Sequence, residues 1–288
     1  MDFTTLSRAE IDLSGSLRKM KIIHTIEETT CTSTWLKACE LLAEQEDKTL
    51  YTMILGVQEP AVVTSEDFRM HEVLNEFLLS KDQLPLSSIA NTLFPAGLYL
   101  QGGPDAVFRE FPALYPKFRE GWGTYAYRML KPTIARGGIN MSALEILVEK
   151  LKKQKKRGRM RAAYELDLLN EEEDADIALY QPSSDCGRTI GQPCLTHLSF
   201  KLHPDDRLSL TALYRSHFYM QKALGNLLGL SQLMCFVAEL VGLEVGPLVC
   251  HSTMAQLEYG GTNDWSLKDA LAVLKDCRRA LAPEFSLI

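Results

Sequence analysis

The strongest constraint on the fold lies between Leu195 and Gly242. Leu195 to Leu202 and Arg207 to Tyr214 alternate apolar and polar residues, with His203-Pro204-Asp205-Asp206 between them, so they read as an antiparallel strand pair. Asn226 to Val241, NLLGLSQLMCFVAELV, is the most apolar helix in the chain, and Gly242 is a natural C-cap for it. Upstream, Thr34 to Glu46 has helical spacing, with Trp35, Ala38, Leu41 and Leu42 on one face. Tyr51 to Val57 reads as a strand ended by Glu59-Pro60. Phe68 to Leu79 reads as a helix whose apolar face carries Met70, Val73, Leu74, Phe77 and Leu78, with Glu72 near its edge. Leu84 to Tyr127, with five prolines and five glycines, is too long for an idle connection and reads as an ordered loop region with short helices. A helix over Met141 to Gln154 and a strand over Met160 to Leu166 follow. Short strand pieces at Leu248 to Cys250 and Met254 to Tyr259 and an amphipathic helix from Ser266 to Leu281 complete the layout. No internal repeat is present. The class is α/β or α+β, with residues 1–288 as one domain.

Composition narrows the function. The 288 residues are 46% hydrophobic and 24% charged with a net charge of −6, which suits an ordinary soluble globular protein and not a coat for nucleic acid polymers. The one strongly basic block, Lys150 to Arg161, is followed closely by the acidic run Glu171 to Asp176. The start has no apolar core behind basic residues, and no window offers the roughly 18 apolar residues of a membrane helix, so no membrane partner and a cytoplasmic location are expected. Seven cysteines, at 31, 39, 186, 194, 235, 250 and 277, contain no CxxC pair. That argues against a disulfide framework and a structural zinc site, and leaves buried thiols.

Six short motifs carry a resemblance. Gln192-Pro193-Cys194, Leu213-Tyr214-Arg215-Ser216, Leu224-Gly225-Asn226 and Ala238-Glu239-Leu240-Val241-Gly242-Leu243-Glu244-Val245-Gly246 follow in an order and spacing that resemble the second half of thymidylate synthases. Upstream, Arg69-Met70-His71-Glu72-Val73-Leu74 resembles the family's histidine-glutamate helix, and Gly123-Thr124-Tyr125-Ala126 its tyrosine-bearing turn. The resemblance spans Thr34 to Tyr259, leaving 1–33 as an N-terminal extension and 260–288 as a divergent C-terminal helix and tail. It implies a thymidylate-synthase-like fold, a large mixed sheet flanked by helices, and a homodimer through the sheet face. It also implies one-carbon transfer from 5,10-methylenetetrahydrofolate to C5 of a pyrimidine nucleoside monophosphate.

The chemistry suits these residues. Adding a thiolate at C6 of the pyrimidine makes C5 nucleophilic, which is a cysteine's work, and the resemblance gives it to Cys194. A thiolate needs nearby positive charge, and Arg215 is placed beside both sulfur and substrate phosphate, with Ser216 helping to hold phosphate. Taken alone, Cys194 would be a small buried hydrophobe. Asn226 is implied to hydrogen-bond the base edge, tilting toward uracil, and is equally suited to capping its helix. Glu72 is implied as the general acid/base acting through water, against a solvated helix-face glutamate, and Tyr125 as its support, against a packed aromatic. Arg157 and Arg159 are implied to reach the phosphate of the other subunit, or else to complement a helix end.

The departures concern ligands. The phosphate-closing arginine loop is missing between Glu46 and Thr52, Leu195 stands where the family has histidine, and Phe218 stands where an aspartate contacts the pterin. Gln256 and Glu258 replace the sugar-binding histidine and tyrosine, so an altered sugar site is expected. Tryptophan is lost near the folate, which is compatible with water capturing the carbon and with a hydroxymethyl rather than a methyl product. Two other readings stand beside this one: a non-catalytic nucleotide-binding or sensor protein that keeps the fold, and metal chemistry through His197 and His203.

Overall fold

The computed structural model describes residues 22–115, 124–134, 140–157, 176–180, 193–261 and 263–282. The expected strand over Met160 to Leu166, residues 171–175 of the acidic run, Gly123, Arg159 and Gln192 lie outside these residues, as does the side chain of Arg157. In chain order the elements are β1 (His24–Glu28), α1 (Cys31–Glu44), β2 (Thr49–Val57), α2 (Ser65–Ser80), α3 (Leu86–Asn91), α4 (Ala96–Asp105), a π-helical turn (Ala106–Glu110) and α5 (Phe111–Leu114). Then come α6 (Tyr125–Leu130), β3 (Pro132–Ile134), β4 (Asn140–Ser142), α7 (Ala143–Arg157), β5 (Asp176–Ala178), β6 (Leu195–Leu202) and β7 (Arg207–Tyr214). The chain goes on through β8 (His217–Phe218), a second π-helical turn (Tyr219–Ala223), α8 (Leu224–Val241), β9 (Glu244–Gln256) and α9 (Leu267–Leu281).

Helices α1 and α2 begin three residues earlier than their apolar periodicity indicates. The first turns are polar and are set by capping boxes instead: Thr30 with Ser33, and Thr64 with Asp67. A third box, Ser266 with Asp269, starts α9. Gly242 closes α8 in the left-handed region at φ 73°.

The main sheet is mixed, in the order β1-β2-β9-β7-β6-β5, with β8 also paired to β9. β9 is one 13-residue strand and not the two short pieces expected. Gly246-Pro247 hides its start, and the polar His251-Ser252-Thr253 divides the rest. The register shifts at Gly246-Pro247, Leu208 facing Val245 and Leu210 facing Leu248, so a bulge absorbs the proline's missing N–H. A Cβ on Gly246 would sit 3.0 Å from the Leu208 carbonyl oxygen, which explains the glycine.

Helices cover one face of this sheet. Met53, Leu55, Leu208, Leu210, Leu248 and Cys250 are buried, whereas Ile54, Thr211, Leu213 and Val249 between them are half-buried or exposed. Against the covered face lies α8, 13 of whose 18 residues are buried, as its all-round apolarity requires. Taken with its leading turn, Tyr219–Val241 is long and apolar enough to cross a membrane by length and composition, which corrects the expectation that no window qualifies; 72% of that window is buried inside the fold. On the far side α3 crosses α8 at Gly225 and Gly229, where an added Cβ would meet Ile89 Cβ at 2.6 Å and the Ala90 carbonyl oxygen at 2.7 Å. Trp35 ties α1 to the turn before α8 by donating to the Tyr219 carbonyl at 2.7 Å.

Candidate active site

Where β6 and β7 end side by side, Cys194 immediately precedes β6 and Arg215 immediately follows β7. The Arg215 backbone N–H donates to the Cys194 carbonyl at 2.9 Å, extending the ladder by one bond. A bulge between Leu195 and His197, held by the Thr196 hydroxyl donating to the Leu213 carbonyl at 3.0 Å, bends the start of β6. Pairing of β7 to β9 lapses at Arg215 and Ser216 and resumes at His217 in the same register, which releases both residues from the sheet. The Arg215 guanidinium then folds back, its Nε donating to the Pro193 carbonyl at 3.0 Å.

Tyr125 approaches from the other side. Thr124 caps α6 by accepting from the Tyr127 N–H, and the Ala126 N–H donates to the Thr92 carbonyl at 2.9 Å, fixing the helix start. The buried Tyr125 hydroxyl accepts from the backbone N–H groups of Cys194 (3.0 Å) and Leu195 (3.2 Å). Three of the expected site residues, Cys194, Arg215 and Tyr125, are thus within one hydrogen-bonded cluster.

The thiol's electrostatics are opposed. Burial raises the Cys194 pKa above the ordinary value of 9.0, and the neighbouring Arg215 charge pulls it down by less. Burial also raises Tyr125, and negative charge on Cys194 adds to that. Among the six described cysteines, all free thiols, Cys194 alone is lowered by a cation. Cys31, Cys39, Cys235, Cys250 and Cys277 are raised first by burial, and no cation's charge lowers them.

Behind this cluster is a buried polar chain that sequence reasoning missed. The Tyr214 ring stacks flat on His217, centroids 4.0 Å apart and planes 2° apart. His217 Nδ1 lies 3.1 Å from Ser252 Oγ, and the Tyr219 hydroxyl lies 3.2 Å from the same oxygen. His217 Nε2 lies 3.0 Å from Asn226 Nδ2. Asn226 is therefore not the helix cap it resembles: the π-helical turn continues α8 upstream, and the side chain points inward to His217. The Tyr214 hydroxyl is fully buried with no partner among the described residues, and the charges of Tyr125 and Cys194 act on it. An orphaned buried hydroxyl beside the thiol is a group a polar ligand would satisfy. The signal for this cluster was faint: one histidine two residues after Arg215, and a serine among β-formers.

The remaining candidates sit apart. Glu72 is exposed on α2, and among the described residues no hydrogen bond joins it to the Cys194 cluster; its neighbour His71 pairs with Thr32 at 2.9 Å. Ser216 is half-buried, as is Gln256 at the end of β9. Glu258 is turned inward, 4% exposed, and caps the turn before α8 by accepting from the Met220 (3.1 Å) and Gln221 (2.6 Å) N–H groups. Its pKa is pushed up to about 7 by burial, against those N–H groups, which lower it. Arg157 ends α7, and nearby Lys155 donates to the Gly242 carbonyl, so the basic helix end caps α8. His197 pairs with Asp176 at 3.1 Å and His203 with Ser209 at 2.8 Å, each held separately.

No protein-family model matches the chain. Three proteins named "Putative thymidylate synthase" are similar to it. That of Methanothermobacter marburgensis is 27% identical over 194 residues, 67% of this chain and 74% of that protein. That of Methanothermobacter thermautotrophicus is 33% identical over 109 residues, 34% of this chain and 48% of that protein. That of Methanosarcina mazei is 37% identical over 75 residues, 26% of this chain and 33% of that protein, so the match spans about a third of that relative's length. Thermostable thymidylate synthase A from Bacillus subtilis superposes with a TM-score of 0.48 at 11% identity, covering 86% of this chain and 84% of that one. By sequence the chain is similar, over parts of its length, to proteins named putative thymidylate synthase from Methanothermobacter and Methanosarcina.

Proposed function

We propose that the protein transfers a one-carbon unit to C5 of a pyrimidine nucleoside monophosphate, giving a methyl or hydroxymethyl product, through a Cys194 adduct at C6. The observation that carries this reading is the setting of Cys194: its segment is fastened from two sides by Tyr125 and Arg215, and it is the one described thiol that a cation's charge pulls down. The thiolate's electron pair forms the S–C6 bond and the C5–C6 π pair moves onto C5 and the O4 carbonyl. C5 bonds to the one-carbon unit as that carbon's bond to the donor nitrogen breaks, the C5 proton leaves and the thiolate is expelled; the carbon would then take hydroxide from water for a hydroxymethyl product, or a hydride from the tetrahydrofolate, which would leave as dihydrofolate, for a methyl product.

Arg215, with its Nε anchored on Pro193, holds the phosphate together with Ser216 and lowers the thiol. The Tyr125 hydroxyl fixes the backbone that carries the sulfur. Asn226 reads the base edge, with the Tyr214 hydroxyl on the same wall. Glu72, in contact with solvent on α2, moves protons through water, and Gln256 faces the sugar. Glu258, with both oxygens engaged as a cap, is left out of the sugar site. When bound, 5,10-methylenetetrahydrofolate supplies the one-carbon unit. Phe218, 41% exposed where the resemblance expects a carboxylate, offers a ring face to it and no hydrogen bond.

The half-covered sheet face around Ile54, Leu213 and Val249 supports a homodimer through that face, and the resemblance alone gives Arg157 and Arg159 to the other subunit's phosphate. The free thiols suit a cytoplasmic protein of one domain. A second reading, a nucleotide sensor without chemistry, is favoured by the net raising of the Cys194 pKa. Release of tritium from C5 of labelled nucleotide separates the two. Exchange that disappears in Cys194→Ala supports the enzyme, whereas tight binding without exchange supports the sensor.

A further inference from the structure

Arg215 leaves the sheet, yet its main chain stays fastened. One step earlier the sheet is intact: Ser252 of β9 pairs with Met53 of β2 on one side and Tyr214 of β7 on the other, and Tyr214 pairs with Leu195 of β6. All four residues are fully buried. At the next row, Thr52, Thr253, Arg215 and Cys194, each residue is half-buried or exposed, and the ladders on both sides of β9 lapse. Pairing with β2 resumes at Met254 with Tyr51, and pairing on the other side resumes at Ala255 with His217 of β8. On the β2 side the lapse is built into the backbone, because Thr52 is left-handed at φ 56°, a conformation in which a β-branched residue is an outlier.

A side chain takes over where the ladder stops. Thr253 Oγ1 donates to the Arg215 carbonyl at 2.8 Å. Arg215 is thereby held from two directions. Its N–H donates to the Cys194 carbonyl at 2.9 Å and its Nε to the Pro193 carbonyl at 3.0 Å, both in the segment that carries the sulfur, while Thr253 holds it to β9. The bond from Thr253 is exposed, so water can replace it and it adds little to stability. Its effect is on position. A guanidinium acts on a thiol and on a phosphate through separation and direction, and Arg215 is the cation whose charge pulls Cys194 down. We propose that Thr253 is a positioning residue whose hydroxyl fixes Arg215 where sheet pairing fails, and so sets how the guanidinium meets the Cys194 thiol and the substrate phosphate. The phosphate half rests on the reading above that Arg215 holds a nucleoside monophosphate.

The test uses the full chain as wild type, Thr253→Val and Thr253→Ser, each also combined with Arg215→Gln. Valine keeps the β-branched shape and removes the hydroxyl, whereas serine keeps the hydroxyl. The first readout is the pH–rate profile of Cys194 alkylation by iodoacetamide, followed at that residue by mass spectrometry. Expected are an inflection about half a pH unit higher in Thr253→Val, with a rate about threefold lower at fixed pH below it, and a wild-type profile in Thr253→Ser. Adding Thr253→Val to Arg215→Gln is expected to change nothing further, since Thr253 acts through Arg215. The second readout is calorimetric binding of uridine and cytidine monophosphates, in ribose and deoxyribose forms, and of the matching nucleosides. Thr253→Val is expected to weaken the monophosphates at least about threefold and to leave the nucleosides unchanged. Should Thr253→Val not fold, Thr253→Ala is expected to show the same changes. A folded variant without the hydroxyl whose alkylation profile matches wild type, or shifts equally in the Arg215→Gln background, overturns the positioning role. Equal weakening of monophosphates and nucleosides overturns the phosphate half. If the wild type binds no pyrimidine monophosphate, the nucleotide reading and the phosphate half fall together, and alkylation still decides the thiol half.

Discussion

Replacing Tyr125 by phenylalanine removes one oxygen and leaves the ring. That oxygen accepts from two backbone N–H groups, of Cys194 at 3.0 Å and Leu195 at 3.2 Å, of which the second is buried. A buried donor stripped of its acceptor costs about 1–3 kcal/mol, and a partly exposed one recovers part of that from water, so the variant should lose about 2–3 kcal/mol. For a chain of this size that lowers Tm by roughly 4–10 °C. Urea unfolding should show a lower midpoint with an unchanged slope, since the surface exposed on unfolding is the same. Alkylation of Cys194 by iodoacetamide should change as well, because the strand start that carries the sulfur loses its fastening. A Tyr125→Phe protein with wild-type stability and wild-type Cys194 reactivity would mean that the hydroxyl does not hold the segment, and the clustering of Tyr125 with Cys194 would lose its meaning.

Arg215→Gln removes the one cation that lowers the Cys194 thiol, so its pKa should rise further and alkylation at fixed mildly alkaline pH should slow; an unchanged pH–rate profile would show that Arg215 does not act on the sulfur. Gly229→Ala places a Cβ about 2.7 Å from the Ala90 carbonyl oxygen and 2.9 Å from Leu93 Cβ, and should cost about 1–3 kcal/mol in denaturant unfolding by forcing α3 off α8. Glu258 has its folded pKa raised from 4.5 to about 7, so the folded state binds the proton more tightly than the unfolded. Its contribution is fully present below pH 4.5 and is lost as pH rises toward 7, up to about 3 kcal/mol. Stability measured at pH 5 and pH 8 should fall less across that interval in Glu258→Gln than in wild type, and equal falls would remove Glu258 as the cause.

How much of this was legible in the sequence depended on the range of each interaction. The pairing of β6 with β7 was readable because alternation and a tight turn are local. So were α8 and its Gly242 cap. β9 was misread as fragments because Gly246-Pro247, which a bulge absorbs in space, hides its start and the polar His251-Ser252-Thr253 divides the rest. Cys194 and Arg215 are 21 positions apart and meet only because β6 and β7 end together. The Tyr125 contact to Cys194 spans 69 residues, and nothing local signals it; the resemblance alone put the two in one site. His217 escaped notice because a lone histidine among aromatic and apolar residues carries no pattern, and its meaning comes from Asn226 and Ser252 on other elements. Glu258 shows the converse: the resemblance puts it in the sugar site, and it is a buried cap.

The most direct test of the central claim is mass spectrometry of pyrimidine nucleoside monophosphates incubated with the protein and 5,10-methylenetetrahydrofolate, uracil and cytosine forms with ribose and deoxyribose side by side. The account predicts that at least one nucleotide gains a methyl or hydroxymethyl group at C5 with the wild-type protein and none does with Cys194→Ala. Every nucleotide returning unchanged from the wild type, or a product that persists in Cys194→Ala, would contradict it.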